Sequence, residues 1–479
     1  MGAVTRVLPE QPYASLAEYR AAGGGRGIEV ARKLGPASVV DEIEAAGLRG
    51  RGGGGFPTGV KWRTVAGHAS AALPATVVVN GAEGEPGTFK DRTLLRATPY
   101  AVVEGALIAA LAVGADRAVV ALKATFEVER VRLEAALAEV TAGTDWADGV
   151  NLGVATGPSE YLFGEETALL EVLDGRPPFP RIAPPFRHGV DEVGPRPDQP
   201  AGTVMAEPGA TVAPPTLANN VETMANVPLL IAEGADWFRS VGTRESPGTV
   251  LCTVTGATRN HGVAEVALGT PLAEALELIG GGPVEGRRLV AAMSGVANPP
   301  VLAERFDTPL TYEDMQRIGT GLGACGFLVF DDSTDMAAVG AGVARFLAVE
   351  SCGQCTPCKQ DGRAIAEALF RLCAGEGAGE DPGVVADRVA TVADRARCFL
   401  AHQQERVVGG ILVQFPDALA RHLDPSTPPV TPEPIVPIRD IVGGRAELDL
   451  HQLDKQPDWT FEPTDSGQAP ADRMGAGRP

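Results

Sequence analysis

The sequence predicts an α/β domain, a small α+β unit and an all-helical region, in that order, and three patterns along its 479 residues predict it. Helix-like and strand-like stretches alternate from about residue 37 to 155. A strand-like TVLCTVTG and a later GFLVF bracket one helix between residues 248 and 332. From residue 336 to 423 the pattern is almost wholly helical and surrounds ESCGQCTPC. Composition sets the bounds. At 49.5 kDa the chain is long enough for about three domains with buried cores. A hydrophobic fraction of 44% excludes wholesale disorder, while 59 Gly and 39 Pro call for many loops with special backbone angles. The net charge of −20 argues against a nucleic-acid backbone or an anionic membrane surface as the main partner. No run of about 18 uncharged apolar residues occurs and no signal peptide precedes the first helix, so direct membrane insertion is not expected. A cytoplasmic chain is expected, with a place at the periphery of a membrane complex left open. Its 7 cysteines are therefore read as thiols or metal ligands before disulfides.

In the first part, residues 38–46 read as a short helix, 76–80 (TVVVN) as a buried strand, 101–113 as a helix, 117–122 as a strand and 128–140 as a charged amphipathic helix. Such alternation builds an α/β domain. Pro-rich sequence over residues 176–215 interrupts it, and helical stretches at 221–232 and 236–241 close it. Residues 272–279 form the one helix of the second unit. After the helical region, PSTPPVTPEPIVP reads as a stiff linker and residues 464–479 as disordered.

ESCGQCTPC places Cys352, Cys355 and Cys358 at i, i+3 and i+6, with Gly353 and Pro357 keeping the segment a loop. That spacing suits three corners of a [4Fe–4S] cubane, and Cys398, in a nearby helical segment, is the candidate fourth ligand. A zinc knuckle is the alternative, although zinc sites normally show two separated pairs. Cys252, Cys325 and Cys373 read as small buried residues.

GLRGRGGGGFPTGVKW contains G-x-G-x-x-G at Gly50, Gly52 and Gly55, but a helix and not a strand precedes it, so it is not a Rossmann fingerprint. What survives is a glycine-rich loop that offers N–H groups to an anion, with Arg51 and Lys61 adding charge. NGAEGEPGTFKDR follows a buried strand, where α/β proteins place ligand-binding groups; Glu83 and Glu85 would otherwise be solvated charges. EYLFGEETALL brings Glu165 and Glu166 to the start of a helix, where acids also serve as ordinary dipole partners.

Together with PPTLANNVET and TGLGACGFLVFDDSTD, these segments resemble the NADH-oxidising flavoprotein subunit of bacterial respiratory complex I, a family that includes diaphorase subunits of NAD-linked hydrogenases and formate dehydrogenases. The resemblance covers residues 46–423. It implies an α/β flavin-binding domain, a ubiquitin-like β-grasp domain of the soluble-ligand-binding type and an all-helical iron–sulfur domain. The corresponding divisions are an N-terminal extension at 1–36, then 37–245, 246–333, 334–424, and a partly disordered C-terminal extension at 425–479. The implied cofactors are FMN and one [4Fe–4S] cluster, with NADH as substrate. The family's flavin pocket falls on Gly50, Arg51, Gly52, Gly53, Gly55, Lys61, Asn80, Tyr161, Gly164, Glu165, Glu166, Asn219 and Asn220, and Glu83 counts among the cofactor contacts. The nicotinamide would lie between Glu85 and Glu166, the implied catalytic pair, with Phe56 and Phe186 stacking on adenine.

Departures from the family concentrate where the nucleotide should bind. Thr64 replaces a second adenine-stacking Phe, Ala82 the Asp of NADEGEP and Ala183 the Lys before PPF; residues 191–214 are inserted beside that pocket. The leading expectation is an NADH dehydrogenase module that hands single electrons to partner proteins, by resemblance a thioredoxin-like [2Fe–2S] subunit and a larger iron–sulfur subunit. The rivals are a flavoprotein fed by a protein donor without NADH and a non-catalytic paralogue.

Overall fold

The computed structural model describes residues 4–71, 73–190, 214–462 and 464–475. Helices α1 (Leu16–Ala21), α2 (Arg26–Leu34) and α3 (Pro36–Ala46) lead to the glycine loop, and α4 (Thr58–His68) leaves it. Then come β1 (Ala75–Gly81), α5 (Lys90–Ala97), α6 (Pro99–Val113), β2 (Ala115–Lys123), α7 (Glu127–Gly143), β3 (Asn151–Gly157), α8 (Glu166–Leu173), β4 (Thr216–Asn220), α9 (Val221–Glu233) and α10 (Ala235–Arg239). The expected elements are present with shifted ends. Helices α3 and α6 each begin two residues earlier than their apolar pattern, because Pro36 and Pro99 fit a first helical turn, where no N–H is needed.

The four strands form a parallel sheet in the order β3-β2-β1-β4. Val77 and Val79 enter the main core and Val78 a smaller core on the opposite face, so β1 is covered on both sides, as parallel sheets require. Strand β4 (TLANN) has no apolar signature of its own and was not expected; pairing with β1 makes it a strand. Its position matters. The chain moves from β1 to β2 to β3 in one direction and then returns to the other side of β1, and such a reversal opens a crevice at the carboxyl ends of the two strands.

A second, five-stranded sheet follows, built from β5 (Thr249–Gly256), β6 (Gly262–Ala267), β7 (Leu289–Ser294), β8 (Val301–Leu302) and β9 (Gly326–Asp331) in the order β6-β5-β9-β7-β8. Only β5 and β9 pair in parallel. Two helices accompany it instead of the one expected: α11 (Leu272–Gly280) and α12 (Tyr312–Arg317). Six residues are too few to show helical periodicity; α12 is set by its cap, where Thr311 Oγ1 accepts the Asp314 N–H at 2.9 Å. In β7, Ala291 and Met293 face the helical region while Ala292 faces α11, so one sheet joins two cores.

Helices α13 (Met336–Glu350), α14 (Thr356–Cys373), α15 (Asp381–Val389), α16 (Leu400–Gln414) and α17 (Asp417–Ala420) make up the helical region. Pro357 does not keep the cysteine segment a loop but opens α14, where no N–H is needed, so Cys358 lies in that helix's first turn. The tail departs from expectation. In place of disorder from residue 464, the chain runs through an antiparallel pair, β10 (Ile438–Val442) and β11 (Arg445–Leu448), to a last helix α18 (Pro470–Gly475). Its polar composition misleads because its partners are distant in sequence: Lys455 and Asp458 are buried against other parts of the chain. The inserted residues 191–213 and residues 476–479 lie outside the described residues. Among the described residues no single helix is long and apolar enough to cross a membrane; α5 and α6 pass together, but they meet at 98° and α6 lies in the main core.

Candidate functional site

At the reversal point the carboxyl ends of β1 and β4 lie in register, pairing Val79 with Asn219 and Asn80 with Asn220. Asn80 holds the turn beneath it: its Nδ2 donates to Gly164 O at 2.8 Å and its Oδ1 accepts the Ala82 N–H at 3.1 Å. Asn219 Oδ1 accepts from the buried Trp62 indole at 2.8 Å. The side chain of Asn220 is wholly engaged, capping α9 through the Glu222 N–H at 3.0 Å, accepting from Lys90 at 3.0 Å and donating to Asp91 at 2.6 Å. The glycine loop lies against it, with Gly53 and Gly55 at φ +113° and +60°, angles that a side chain disfavours. A Cβ on Gly52 would come within 3.2 Å of the Asn220 side chain.

The expected charges take unequal positions. Lys61 reaches the strand ends, donating to Ala218 O at 2.7 Å and pairing with Glu166 at 2.5 Å. Arg51 is the correction: its guanidinium is buried under the loop, donating to Tyr312 Oη, Arg49 O and Pro247 O, so only its backbone belongs to the loop surface. Its Nε is buried without a hydrogen-bond acceptor, 4.0 Å from Glu222. Glu165 caps α8 by accepting the Thr167 and Ala168 N–H groups at 3.0 and 2.8 Å. Glu83 accepts the Asp91 and Arg92 N–H groups at the start of α5; burial and the neighbouring Asp91 push its carboxyl up to about 7.

Glu85 is not a solvated charge either. Burial pushes it up to about 7, against the hydrogen bonds it receives from Tyr161 Oη and from the Val296 N–H at 2.6 Å. It therefore faces the second sheet, whereas Glu166 faces Lys61; the two carboxylates of the expected pair share no contact. Phe56 is 57% exposed, and Phe186 packs against His68 with ring centroids 5.1 Å apart, so the two expected stacking rings serve different surroundings. Thr64 turns its hydroxyl back to Val60 O.

Cys352, Cys355, Cys358 and Cys398 line one small cavity, closed by Leu162, Ser351, Gly353, Leu400 and Ala401. Among the described residues no three His, Cys, Asp or Glu side chains close on a single metal ion. Four thiols ringing one void suit the corners of a cubane cluster. Burial and the neighbouring Cys352 and Cys355 push Cys358 up to about 12; Cys398 is raised by burial and by Cys358. Cys252, Cys325 and Cys373 lie elsewhere, fully buried in apolar cores. Tyr161 links the two sites: its Oη donates to Glu85 and accepts at 2.7 Å from Gln403 in the first turn of α16, the helix that starts just past Cys398.

Residues 43–229 match the family described as the Nuo51 FMN-binding domain, and residues 338–422 the NADH-ubiquinone oxidoreductase-F iron–sulfur binding region. Relatives share most of the length: the second NADH-quinone oxidoreductase F subunit of Rhizobium meliloti (strain 1021) is 36% identical over 372 residues, 76% of this chain and 83% of its own. The chain belongs to the family of NADH-quinone oxidoreductase F subunits. The member from Mycobacterium tuberculosis (strain H37Rv) is 35% identical over 433 residues, 87% of this chain and 92% of its own. NADP-reducing hydrogenase subunit HndC of Solidesulfovibrio fructosivorans is 32% identical over 420 residues, 86% and 81%. Among solved structures, an NAD+-reducing [NiFe]-hydrogenase in the H2-reduced state superposes with a TM-score of 0.73 at 31% identity, over 86% of this chain and 67% of that one.

As a member of this family the chain carries FMN and iron–sulfur binding regions, and the residues fit both groups: a glycine loop with a lysine at a strand-reversal crevice, and four thiols around a cavity. Sequence reasoning missed the support beneath the crevice. Lys90 lies buried 2.7 Å from Asp91 and 2.9 Å from Glu222; burial works against its charge, but Asp91, Glu222 and Glu83 outweigh it and hold its pKa above the usual lysine value. KDR after a Gly-rich loop looks like a solvated helix start, and nothing local marks Glu222 as its partner.

Proposed function

We propose that this chain oxidises NADH at the crevice between β1 and β4 and passes the electrons singly through the cysteine-held cluster to partner proteins. Bound FMN would accept a hydride as a two-electron unit, and a [4Fe–4S] cluster would carry electrons one at a time. The chain's own residues do the placing. The glycine-loop N–H groups and Lys61, released from Glu166, take the flavin phosphate. Asn80 fixes the Gly164 turn, so that Tyr161 and Glu85 stand as one hydrogen-bonded wall of the crevice. Glu85, held at about 7 by burial, takes up or releases a proton in the neutral range while its Oε2 accepts the Tyr161 hydroxyl. The observation that carries the reading is Tyr161, which hydrogen-bonds both Glu85 at the crevice and Gln403 beside the cysteines.

The architecture in this reading is a flavin domain at 37–245, a β-grasp domain at 246–333 and a helical cluster domain at 334–424. The relatives are named as subunits, and this chain has ligands for one cluster, so electrons leave to other proteins, of which a thioredoxin-like [2Fe–2S] subunit and a larger iron–sulfur subunit are the proposed pair. Thr64 and Ala183 favour weakened nucleotide binding, with Arg181 or Arg187 near enough in sequence to take over the charge that Ala183 lacks. Anaerobic stopped-flow reduction tests this with NADH and NADPH separately. Flavin bleaching by NADH followed by a reduced-cluster EPR signal is expected. No bleaching by either nucleotide, with flavin and iron present, overturns NADH oxidation in favour of a protein donor.

A further inference from the structure

The family match to the iron–sulfur region ends at residue 422, yet the chain continues across every part of the molecule and returns to the first cysteine of the loop. The Glu433 N–H donates to Ala338 O of α13 at 3.0 Å, and Ile435, Val436 and Ile438 are buried behind it. Arg92 donates to Ile438 O at 3.1 Å and Arg96 pairs with Asp440 at 2.7 Å, which ties the tail to the parallel-sheet region. The β10–β11 hairpin then meets the second sheet, His261 N donating to Gly444 O at 2.8 Å.

From there the chain turns back to the cysteines. Lys455 Nζ stands 3.0 and 3.2 Å from the two oxygens of Glu350, the last residue of α13 and two positions before Cys352. Both side chains are 2% exposed, so the tail supplies the direct ion-pair partner of a buried carboxylate. Glu350 in turn accepts the Tyr161 N–H at 2.9 Å. Trp459 donates to Val349 O at 2.9 Å, and Lys359, one position past Cys358, donates to Pro457 O at 2.7 Å.

The end of the tail seats on the loop itself. Ala471 N donates to Cys352 O at 3.0 Å, and Gly353, at φ +86°, leaves no room for a side chain: a Cβ there would stand 2.3 Å from Ala469 Cβ. Loop and tail are thus matched in shape and hydrogen bonding over the two residues that begin the cysteine motif.

We propose that residues 433–462 and 464–475 form a strap that positions the cysteine loop, Lys455 fixing its approach through Glu350 and the Ala469–Ala471 turn closing the Cys352–Gly353 flank against solvent. The inference rests on the cluster reading above. Cluster retention then depends on a segment that supplies none of the ligands.

The test uses full-length protein purified anaerobically and measures iron transfer to a ferrous chelator, the reduced-cluster EPR line shape and FMN content. Ala469→Glu presses a charged chain against Gly353, and a stop after Glu462 removes the seat while keeping Lys455. Both are expected to speed iron transfer about tenfold and to alter the EPR line shape with FMN content unchanged. Ala469→Gly, which keeps the fit, and Met474→Ala, at an exposed position, should match wild type. Wild-type transfer rates and EPR line shape in both Ala469→Glu and the truncation overturn the strap. Wild-type protein with FMN but no iron overturns the cluster reading itself, which is a separate outcome.

Discussion

The sheet-edge crevice and the cysteine cavity are built on opposite terms. At the crevice, Asn80, Asn220, Glu165 and Arg51 already bond to protein, and the buried Lys90–Asp91–Glu222 group holds the strand ends from below. That site keeps its shape by its own hydrogen bonds, so a ligand meets a finished frame. At the cavity, buried thiols face one another and are pushed toward the protonated form, Cys358 up to about 12. Coordination must deprotonate them, which couples local folding to metal binding. One site is preorganised, and the other is completed by what it holds.

The sharpest way to break this contrast is at the cysteines. Replacing Cys352, Cys355, Cys358 or Cys398 by Ser should abolish the cluster and loosen the helical region, leaving flavin in place; Ser at Cys252, Cys325 or Cys373 should keep iron. Iron and sulfide analysis with circular dichroism checks this. An essential Cys373 with a dispensable Cys398 would show the ligand set to be wrong.

The reverse experiment acts on the crevice alone. Lys61→Met should weaken flavin retention tenfold or more, the loss of a charge-assisted hydrogen bond of about 1.5 to 3 kcal/mol, while iron stays. Dialysis followed by acid release and mass identification reads both the loss and whether the cofactor is FMN. Undiminished flavin would mean the phosphate sits elsewhere.

Glu85 tests how far the preorganised frame tolerates charge. Its pKa is about 7 in the folded chain against an ordinary 4.5, so the folded state keeps a proton that the unfolded chain has lost. Stability is therefore expected to fall as pH rises from about 4.5 to about 7 and to level off above. Glu85→Gln should flatten that fall, gaining on the order of 1 to 3 kcal/mol over wild type at pH 8 relative to pH 5. Denaturant unfolding at both pH values measures it; parallel curves would place the titration elsewhere.

The smallest effects belong to the nucleotide. Ala183→Lys should tighten NADH about tenfold through a restored charged contact, and Thr64→Phe about fivefold through a stacking partner of about 1 kcal/mol. Saturation of flavin reduction against NADH concentration reads both. Unchanged saturation in both variants would move the adenine away from α4 and residue 183.

Much of this was legible in the residues. The cysteine quartet, the glycine loop, the Asn80 loop and the Glu165 helix start were each marked by spacing or by a neighbouring periodic segment, and the structure brings the four thiols around one cavity. Illegible were contacts whose two halves lie far apart: Arg51 turned under its loop to Tyr312, Glu85 turned to Val296, and Lys90 neutralised by Glu222. A charge followed by a charge, as in KDR, reads as surface until a third element covers it.

By itself the sequence determined the order of the three regions, the glycine loop and which four thiols share one cavity, because periodicity and short spacings are local properties of the chain. Tertiary structure alone decided that TLANN is a strand, that the sheet reverses beside it, and that the polar tail is ordered against Glu350 and Cys352. The reason is physical: a polar segment gains order only when distant partners desolvate and pair its charges, and no window of neighbouring residues contains those partners.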